Sequence, residues 1–480
     1  MNYRMIAYLI GVIILIEAVF MVLPVLVALL YAEPSGVYFL VVMLAAACLG
    51  FLLTRLKPKK RAMYAKEGFV ITALGWIVIS LIGAVPFTLS GQIPSYLDAV
   101  FETVSGFTTT GASILENVEA LDQNMLFWRS FTHWLGGMGI LVFMLAIVNM
   151  GDGQSNHILR AESPGPSVTK MVPNMRKSAA ILYGIYIAMT LVQVLLMCLG
   201  GMPLFDSLCT AFGTAGTGGF GIKSTSMAYY NSYYLQMVVA VFMVLFGINF
   251  NVYFFLLMRK FSVALRNTEV WTYLCVILVT TLTITVNIAA MMPTVYDAFH
   301  HAFFAVASIM TTTGFATVDF NTWPELSRLV LVLLMIVGAC AGSTGGGVKV
   351  SRMVILFRGA AHEVRRLLHP GSVKVMTIDG KRIGRETVQG VQGYMAIYAA
   401  VTVISMLLVS VDNFDMVTTV TAVEATINNI GPGLNLVGPA GNFNMFSPLS
   451  KIVLTMDMLL GRLELFPVLI LLSPSTWRKH

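Results

Sequence analysis

Residues 99–111 read AVFETVSGFTTTG and residues 302–314 read AFFAVASIMTTTG. Laid over one another they share Ala99/Ala302, Phe101/Phe304, Ser105/Ser308 and the whole run from Thr108/Thr311 to Gly111/Gly314. An internal repeat governs the architecture of a chain, so it is extended before anything else is read. Two weaker copies stand at corresponding places: Asp206 leads to Gly216, Thr217 and Gly218, and Asp415 leads to Asn428, Asn429, Ile430 and Gly431. Around every copy the order is the same: an apolar stretch, a segment too brief to cross a bilayer, a Gly/Thr-rich or Asn/Gly-rich loop, and a second apolar stretch. Alone, Thr-Thr-Thr-Gly is an ordinary turn. Four copies at matched positions require a common role.

The composition names the solvent. Of 480 residues 57% are hydrophobic and 11% charged, with a mean hydropathy of +0.81, too apolar for a water-facing surface. A span needs about 20 apolar residues to cross a hydrocarbon layer of ~30 Å. Such stretches fall at 6–31, 37–54, 68–90, 127–150, 179–200, 233–258, 270–292, 327–357, 388–411 and 448–472. The first is longer than a signal-peptide core and has only Arg4 before it, so it reads as a retained helix. The expected fold class is an all-α membrane protein of ten transmembrane helices with four re-entrant pore loops. Two extra helices (1–66) precede fourfold pseudo-symmetric M1-P-M2 repeats at 67–178, 179–269, 270–386 and 387–480.

Charge orients the spans. The connection 55–66 carries Arg55, Lys57, Lys59, Lys60, Arg61 and Lys66, whereas the next one holds Glu116, Glu119 and Asp122 without a basic residue. The positive-inside rule places the first in the cytoplasm. With alternating spans, 151–178, 259–269, 358–386, the tail Arg478–Lys479 and both termini follow it. This arrangement accounts for the net charge of +7 without nucleic acid. The five cysteines lie singly in apolar surroundings, which indicates neither a disulfide framework nor a metal cluster.

All four short segments then face outward. Irregular backbone at membrane depth persists only where it lines water or is buried in protein, so four glycine-bearing loops converge on one aqueous axis. Backbone carbonyls and Thr hydroxyls are oxygen donors that replace an ion's hydration shell, and Gly permits the angles that turn carbonyls inward. The short helices end at the loops with their negative dipole ends. Apart from Lys223 no basic residue is near, so a cation is favoured. The candidate ligands are Thr109, Thr110, Gly111, Gly216, Thr217, Gly218, Thr312, Thr313, Gly314, Asn429, Ile430 and Gly431.

These loops resemble the four filter loops of the Trk/Ktr/HKT potassium transporters, as do Ala341–Lys349 (AGSTGGGVK) and Gly461–Glu464 (GRLE). The resemblance covers nearly the whole chain, and the two extra N-terminal helices are similar to the bacterial TrkH-type membrane subunit. It implies potassium (K+) uptake in a bacterial inner membrane, a homodimer, and a cytoplasmic ring of nucleotide-binding RCK subunits (TrkA-like). It implies no organic cofactor.

The span 327–357 is interrupted by Gly342, Ser343, Thr344, Gly345, Gly346 and Gly347. Each Gly weakens a helix by ~1 kcal/mol relative to Ala, so a break is expected at 341–347. Just below a filter, a loop of this kind suits a gate. Lys349 and Arg462, with Glu464, are ionisable groups near membrane depth, where charge is costly and marks a wet path or a buried pair. Arg462 is expected to act as a like-charge barrier, a role the resemblance supports. Its pairing with Glu464 is disfavoured because i,i+2 residues do not face each other on a helix. Glu102 and Glu424 are expected to brace the filter from behind, and His133, His300 and His301 to be core or interfacial.

Three classes of function are compatible with this chain. A gated pore explains the fourfold loops. A secondary transporter coupling K+ to H+ or Na+ also uses Gly-interrupted helices, but inverted repeats bind at the midplane, and these loops share one side. An enzyme is the weakest, since HExxH and GxSxG are absent and Ser343 has no recognisable base.

Overall fold

In the computed structural model, residues 1–57, 65–139, 175–369 and 376–477 are described. Parts of the basic connections 55–66, 151–178 and 358–386, the end of the expected span 127–150 and the tail Arg478–Lys479 lie outside them. Helices α1 (Tyr3–Phe20) and α2 (Val22–Tyr31) act as one span, followed by α3 (Gly36–Thr54). A Cβ on either Gly11 or Gly50 would stand 2.9 Å from the other's carbonyl oxygen, so α1 and α3 cross closely through small residues.

The first repeat is α4 (Ala65–Leu89), the short α5 (Tyr96–Phe107) and α6 (Gln123–Met138). The second is α7 (Met175–Leu199), α8 (Leu204–Ala215), α9 (Tyr233–Phe246) and α10 (Phe250–Leu257), with the small α11 (Phe261–Leu265) behind it. The third is α12 (Thr268–Ile288), α13 (Val295–Met310), α14 (Glu325–Val337) and α15 (Val350–Leu368). The last is α16 (Arg385–Val409), α17 (Met416–Ile427), α18 (Pro448–Arg462) and α19 (Phe466–Leu472), before α20 (Pro474–Trp477). One departure from an all-α chain is a two-stranded hairpin, Thr377–Ile378 against Lys381–Arg382.

Among the described residues six helices are long and apolar enough to cross a membrane, which makes this a multi-pass membrane protein. One break was expected, at 341–347, and the structure has it together with two more. In every repeat the first helix (α4, α7, α12, α16) is continuous. The second is cut in repeats two to four, where α9 and α10 meet at 89°, twelve residues part α14 from α15, and Leu463–Leu465 part α18 from α19. Only the third break is visible in the sequence as a glycine run. Close approach explains the breaks physically. A Cβ on Gly247, Gly345 or Gly461 would lie 3.1 Å from Thr311 Cγ2, 2.9 Å from Thr311 O or 2.7 Å from Asn429 Oδ1. The second helices thus press against the loops, and their backbones turn there.

Three of the four short helices start with side-chain caps: Ser95 accepts from the Asp98 amide (3.3 Å), Thr294 from Asp297 (3.1 Å) and Asp415 from Thr418 (3.0 Å), whereas Pro203 precedes α8. The largest buried apolar cluster joins α1, α3 and α4 to the first and fourth repeats, and a second surrounds the third repeat.

Candidate functional site

All four short helices end in one backbone motif. The second residue past the helix is left-handed: Thr109 (φ 56°), Thr217 (φ 55°), Thr312 (φ 59°) and Asn429 (φ 55°). The following amide reaches back five residues, Thr110 to Ser105 O (2.9 Å), Gly218 to Gly213 O (2.8 Å), Thr313 to Ser308 O (2.8 Å) and Ile430 to Ala425 O (2.9 Å). Such a close ordinarily takes Gly or Asn. Three β-branched Thr in the left-handed region are outliers, and strain of this kind collects at functional sites, where the surroundings over-determine it. Nothing in the sequence announces it, since Thr is a poor choice for that conformation.

Two residues on from each left-handed site comes a glycine with φ between 74° and 96°: Gly111, Gly219, Gly314 and Gly431. This corrects the second loop by one position, because Gly219, not Gly218, is the counterpart of Gly111. The stretch Thr217–Gly219 therefore matches Thr109–Gly111, and Gly216 is the helix cap. A Cβ on Gly111 would collide with the Gly218 carbonyl, one on Gly219 with that of Thr313, one on Gly314 with that of Ile430, and one on Gly431 would stand 2.9 Å from that of Thr110. The contacts run from loop one to two, three, four and back to one. Four loops close a ring, each glycine seated on the next loop's carbonyl. All four glycines line a cavity of about 160 Å³.

The expected gate loop is bonded to this ring. The Gly346 amide donates to Thr312 Oγ1 (2.6 Å) and the Gly347 amide to Asn428 O (3.1 Å). Gly342 accepts from the Phe250 amide (2.9 Å) and Thr344 Oγ1 donates to Phe246 O (3.2 Å), so the bend between α9 and α10 holds the other side. Glu269 accepts the amides of Ala341 (2.6 Å) and Ser351 (3.1 Å). The ammonium of buried Lys349 turns back on Gly345 O.

Arg462 is the last residue of α18 and not the middle of a longer helix, as the sequence suggests. Its guanidinium donates to Thr344 O (2.8 Å), Gly137 O (2.7 Å), Gly136 O and Thr109 Oγ1 (3.3 Å). One side chain therefore joins the glycine-rich loop 342–347, the first repeat and the first loop of the ring. Glu464 pairs with Arg352 of α15, a partner the sequence does not point to because 112 residues separate them.

The bracing carboxylates are where expected. Glu102 accepts from Arg129 Nε (2.5 Å), Ser113 Oγ (2.9 Å) and the Ile114 amide (3.0 Å). Glu424 accepts from Asn428 Nδ2 (2.9 Å) and Tyr398 OH (3.1 Å). The Arg129–Glu102 side chains are only 3% and 1% exposed. Removing one member of a buried pair strands the other charge, at about 3–5 kcal/mol. Arg129→Met should accordingly lower the unfolding midpoint in detergent by several degrees, and adding Glu102→Gln should restore part of it; an unchanged midpoint for the single variant would show the pair to be structurally idle. His300 bonds Gln236 Oε1 (2.7 Å) and His301 bonds Thr317 Oγ1 (3.0 Å), and the described residues contain no group of three or more metal-ligating side chains.

The family model described as TrkH, cation transport protein, matches residues 35–479. The chain belongs to the TrkH family. Similar over the whole length of both chains are the Trk system potassium uptake proteins TrkH of Salmonella typhimurium, 35% identical over 488 residues, and of Escherichia coli K12, 34% identical. Among solved structures, the potassium transporter TrkH from Vibrio parahaemolyticus superposes with a TM-score of 0.89 at 33% identity, again covering 100% of each chain. The ring, the bonded loop beneath it and Arg462 are thus features of a TrkH-family cation transporter.

Proposed function

We propose that this TrkH-family chain takes up potassium through a gated, channel-like pore. Its filter is the ring of four loops, with the carbonyls of Thr110, Gly218, Thr313 and Ile430 among the ligands. Thr109, Gly111, Gly216, Thr217, Thr312, Gly314, Asn429 and Gly431 complete the set first read from the sequence, and Gly219 joins it. The observation that carries the reading is the closed cycle of glycine-to-carbonyl contacts, because only loops facing one axis can each abut the next. Oxygen donors without a basic side chain in the ring itself suit a monovalent cation. Gly342, Ser343, Thr344, Gly345, Gly346, Gly347, Lys349 and Arg462 form the gate.

To the same proposal belong the four outward-facing re-entrant segments, the inner-membrane location and the cytoplasmic termini. So do a homodimer and a ring of nucleotide-binding RCK subunits (TrkA-like), which rest on the family resemblance. The test is rubidium and sodium flux in a potassium-uptake-deficient bacterium and in liposomes. Rubidium flux exceeding sodium, and saturating only at high ion concentration, is the expected result. A fixed stoichiometry with H+ or Na+ would instead establish a symporter. In the same cells a cysteine at residue 57 should be shielded from external labels, and reaction there would reverse the orientation.

A further inference from the structure

The second loop differs from its neighbours in the middle position, where Gly218 stands in place of Thr110, Thr313 and Ile430. In loops one and three that Thr is tied by its hydroxyl to a helix-capping Thr, Thr110 to Thr108 (2.8 Å) and Thr313 to Thr311 (2.7 Å). Gly218 has no hydroxyl, and its helix-cap neighbour Gly216 has none either. The space belongs instead to His133 of α6, from the neighbouring repeat: a Cβ on Gly218 would overlap the imidazole, whose Cε1 would be 2.5 Å away.

His133 is fully buried. Its Nδ1 lies 2.7 Å from Gly106 O, on the last turn of the first short helix, and that carbonyl can only accept. Nδ1 is therefore the protonated nitrogen, which leaves Nε2 free to accept the Phe220 amide at 3.2 Å. Phe220 directly follows Gly219, and its ring lies 4.2 Å from the imidazole, centroid to centroid. One turn earlier on α6, the Arg129 guanidinium lies 3.5 Å from the centre of the same Phe220 ring and donates to Gly221 O (2.7 Å). The inner face of α6 thus ties the end of the first short helix to the second loop.

We infer that His133 is the positioning residue of the second filter loop and a determinant of cation discrimination, supplying from another repeat what Thr supplies within loops one and three. The inference rests on the pore reading. It acts through backbone: with Phe220 N–H and Gly106 O both held by one rigid ring, the Gly218 and Gly219 carbonyls are fixed relative to the first loop. An unpaired buried group at both places would let that spacing relax.

The test compares rubidium-to-sodium flux ratios in liposomes for wild type, His133→Phe, His133→Ala, Gly218→Ala and His133→Ala/Gly218→Ala. With the leak of protein-free liposomes subtracted, the ratio is independent of how much folded protein is incorporated, so a partial loss of fold does not move it. His133→Phe keeps a ring but neither nitrogen, and a fall in the ratio on the order of tenfold is expected. Gly218→Ala should lower it too, and the pair should fall by less than the two singles together, because the shortened side chain clears the methyl. A wild-type ratio in His133→Phe, or strict additivity in the pair, would overturn the inference while leaving the pore reading intact. A wild-type protein that does not discriminate at all would overturn the pore reading and this inference with it.

Discussion

Arg462→Ala should raise basal rubidium flux in liposomes by at least about tenfold. A cation emerging from the ring meets the guanidinium within a few ångströms, and two unit charges about 4 Å apart at an effective dielectric constant of ~20 repel by roughly 4 kcal/mol. Water and the partner carbonyls reduce that figure, yet one third of it already corresponds to tenfold in rate. The side chain also clamps Thr344 O, Gly136 O and Gly137 O, so its removal frees the gate loop as well as the charge. The loop's own ties to the ring are the two hydrogen bonds from Gly346 and Gly347, each of net value about 1 kcal/mol. A modest bias transmitted through α15 is enough to shift such an equilibrium. Deleting residues 343–346 should therefore also raise flux, and combining it with Arg462→Ala should add little, because the two elements make one barrier. Wild-type flux in both folded variants would mean that the segment only packs.

Gly219→Ser should collapse cation discrimination as strongly as Gly111→Ser, with the rubidium-to-sodium ratio falling at least about tenfold. An L-residue in the left-handed region costs about 1–2 kcal/mol, and here the new Cβ would also strike the Thr313 carbonyl. The strain is relieved only by tilting one of the donors that face the ion. The sequence alignment on Gly218 expects a different pattern, with position 218 rather than 219 corresponding to Gly111. An unaltered ratio in Gly219→Ser would return the register to Gly218 and remove the ring cycle as the basis of the filter.

That one-residue displacement illustrates what the sequence carries and what it does not. The repeat between residues 99–111 and 302–314 is written in side chains that pack, so Phe101 and Phe304, both fully buried, can be matched by eye. The second loop contains Gly216, Gly218 and Gly219, and composition cannot say which of three glycines adopts the turn. The backbone hydrogen bond from Gly218 to Gly213 O decides it. Ionisable residues in apolar runs were legible as costly, hence Arg462 and Glu464, and Glu102 was legible as a brace. The partners of Glu102 and Glu464 were not, because Arg129 and Arg352 stand on other helices, and one unaligned sequence contains no record of long-range contact. The breaks in the second helices of repeats two and four were hidden for a related reason. Neither Gly247 nor Leu463–Leu465 stands out locally, and what bends the chain there is the loop pressed against it.

The closed cycle of loops has a bearing on dosage. In a pore assembled from identical subunits, one codon rewrites every quadrant simultaneously, and only the fourfold change is ever measured. In the pore proposed here each quadrant has its own codon, so substitutions at residues 111, 219, 314 and 431 can be introduced one, two, three or four at a time and in adjacent or opposite pairs. The cycle makes adjacency unambiguous: 111 with 219 are neighbours, 111 with 314 are opposites. Permeation can then be followed in quarter steps around a single aperture, and cooperation between quadrants becomes a quantity read from the curve.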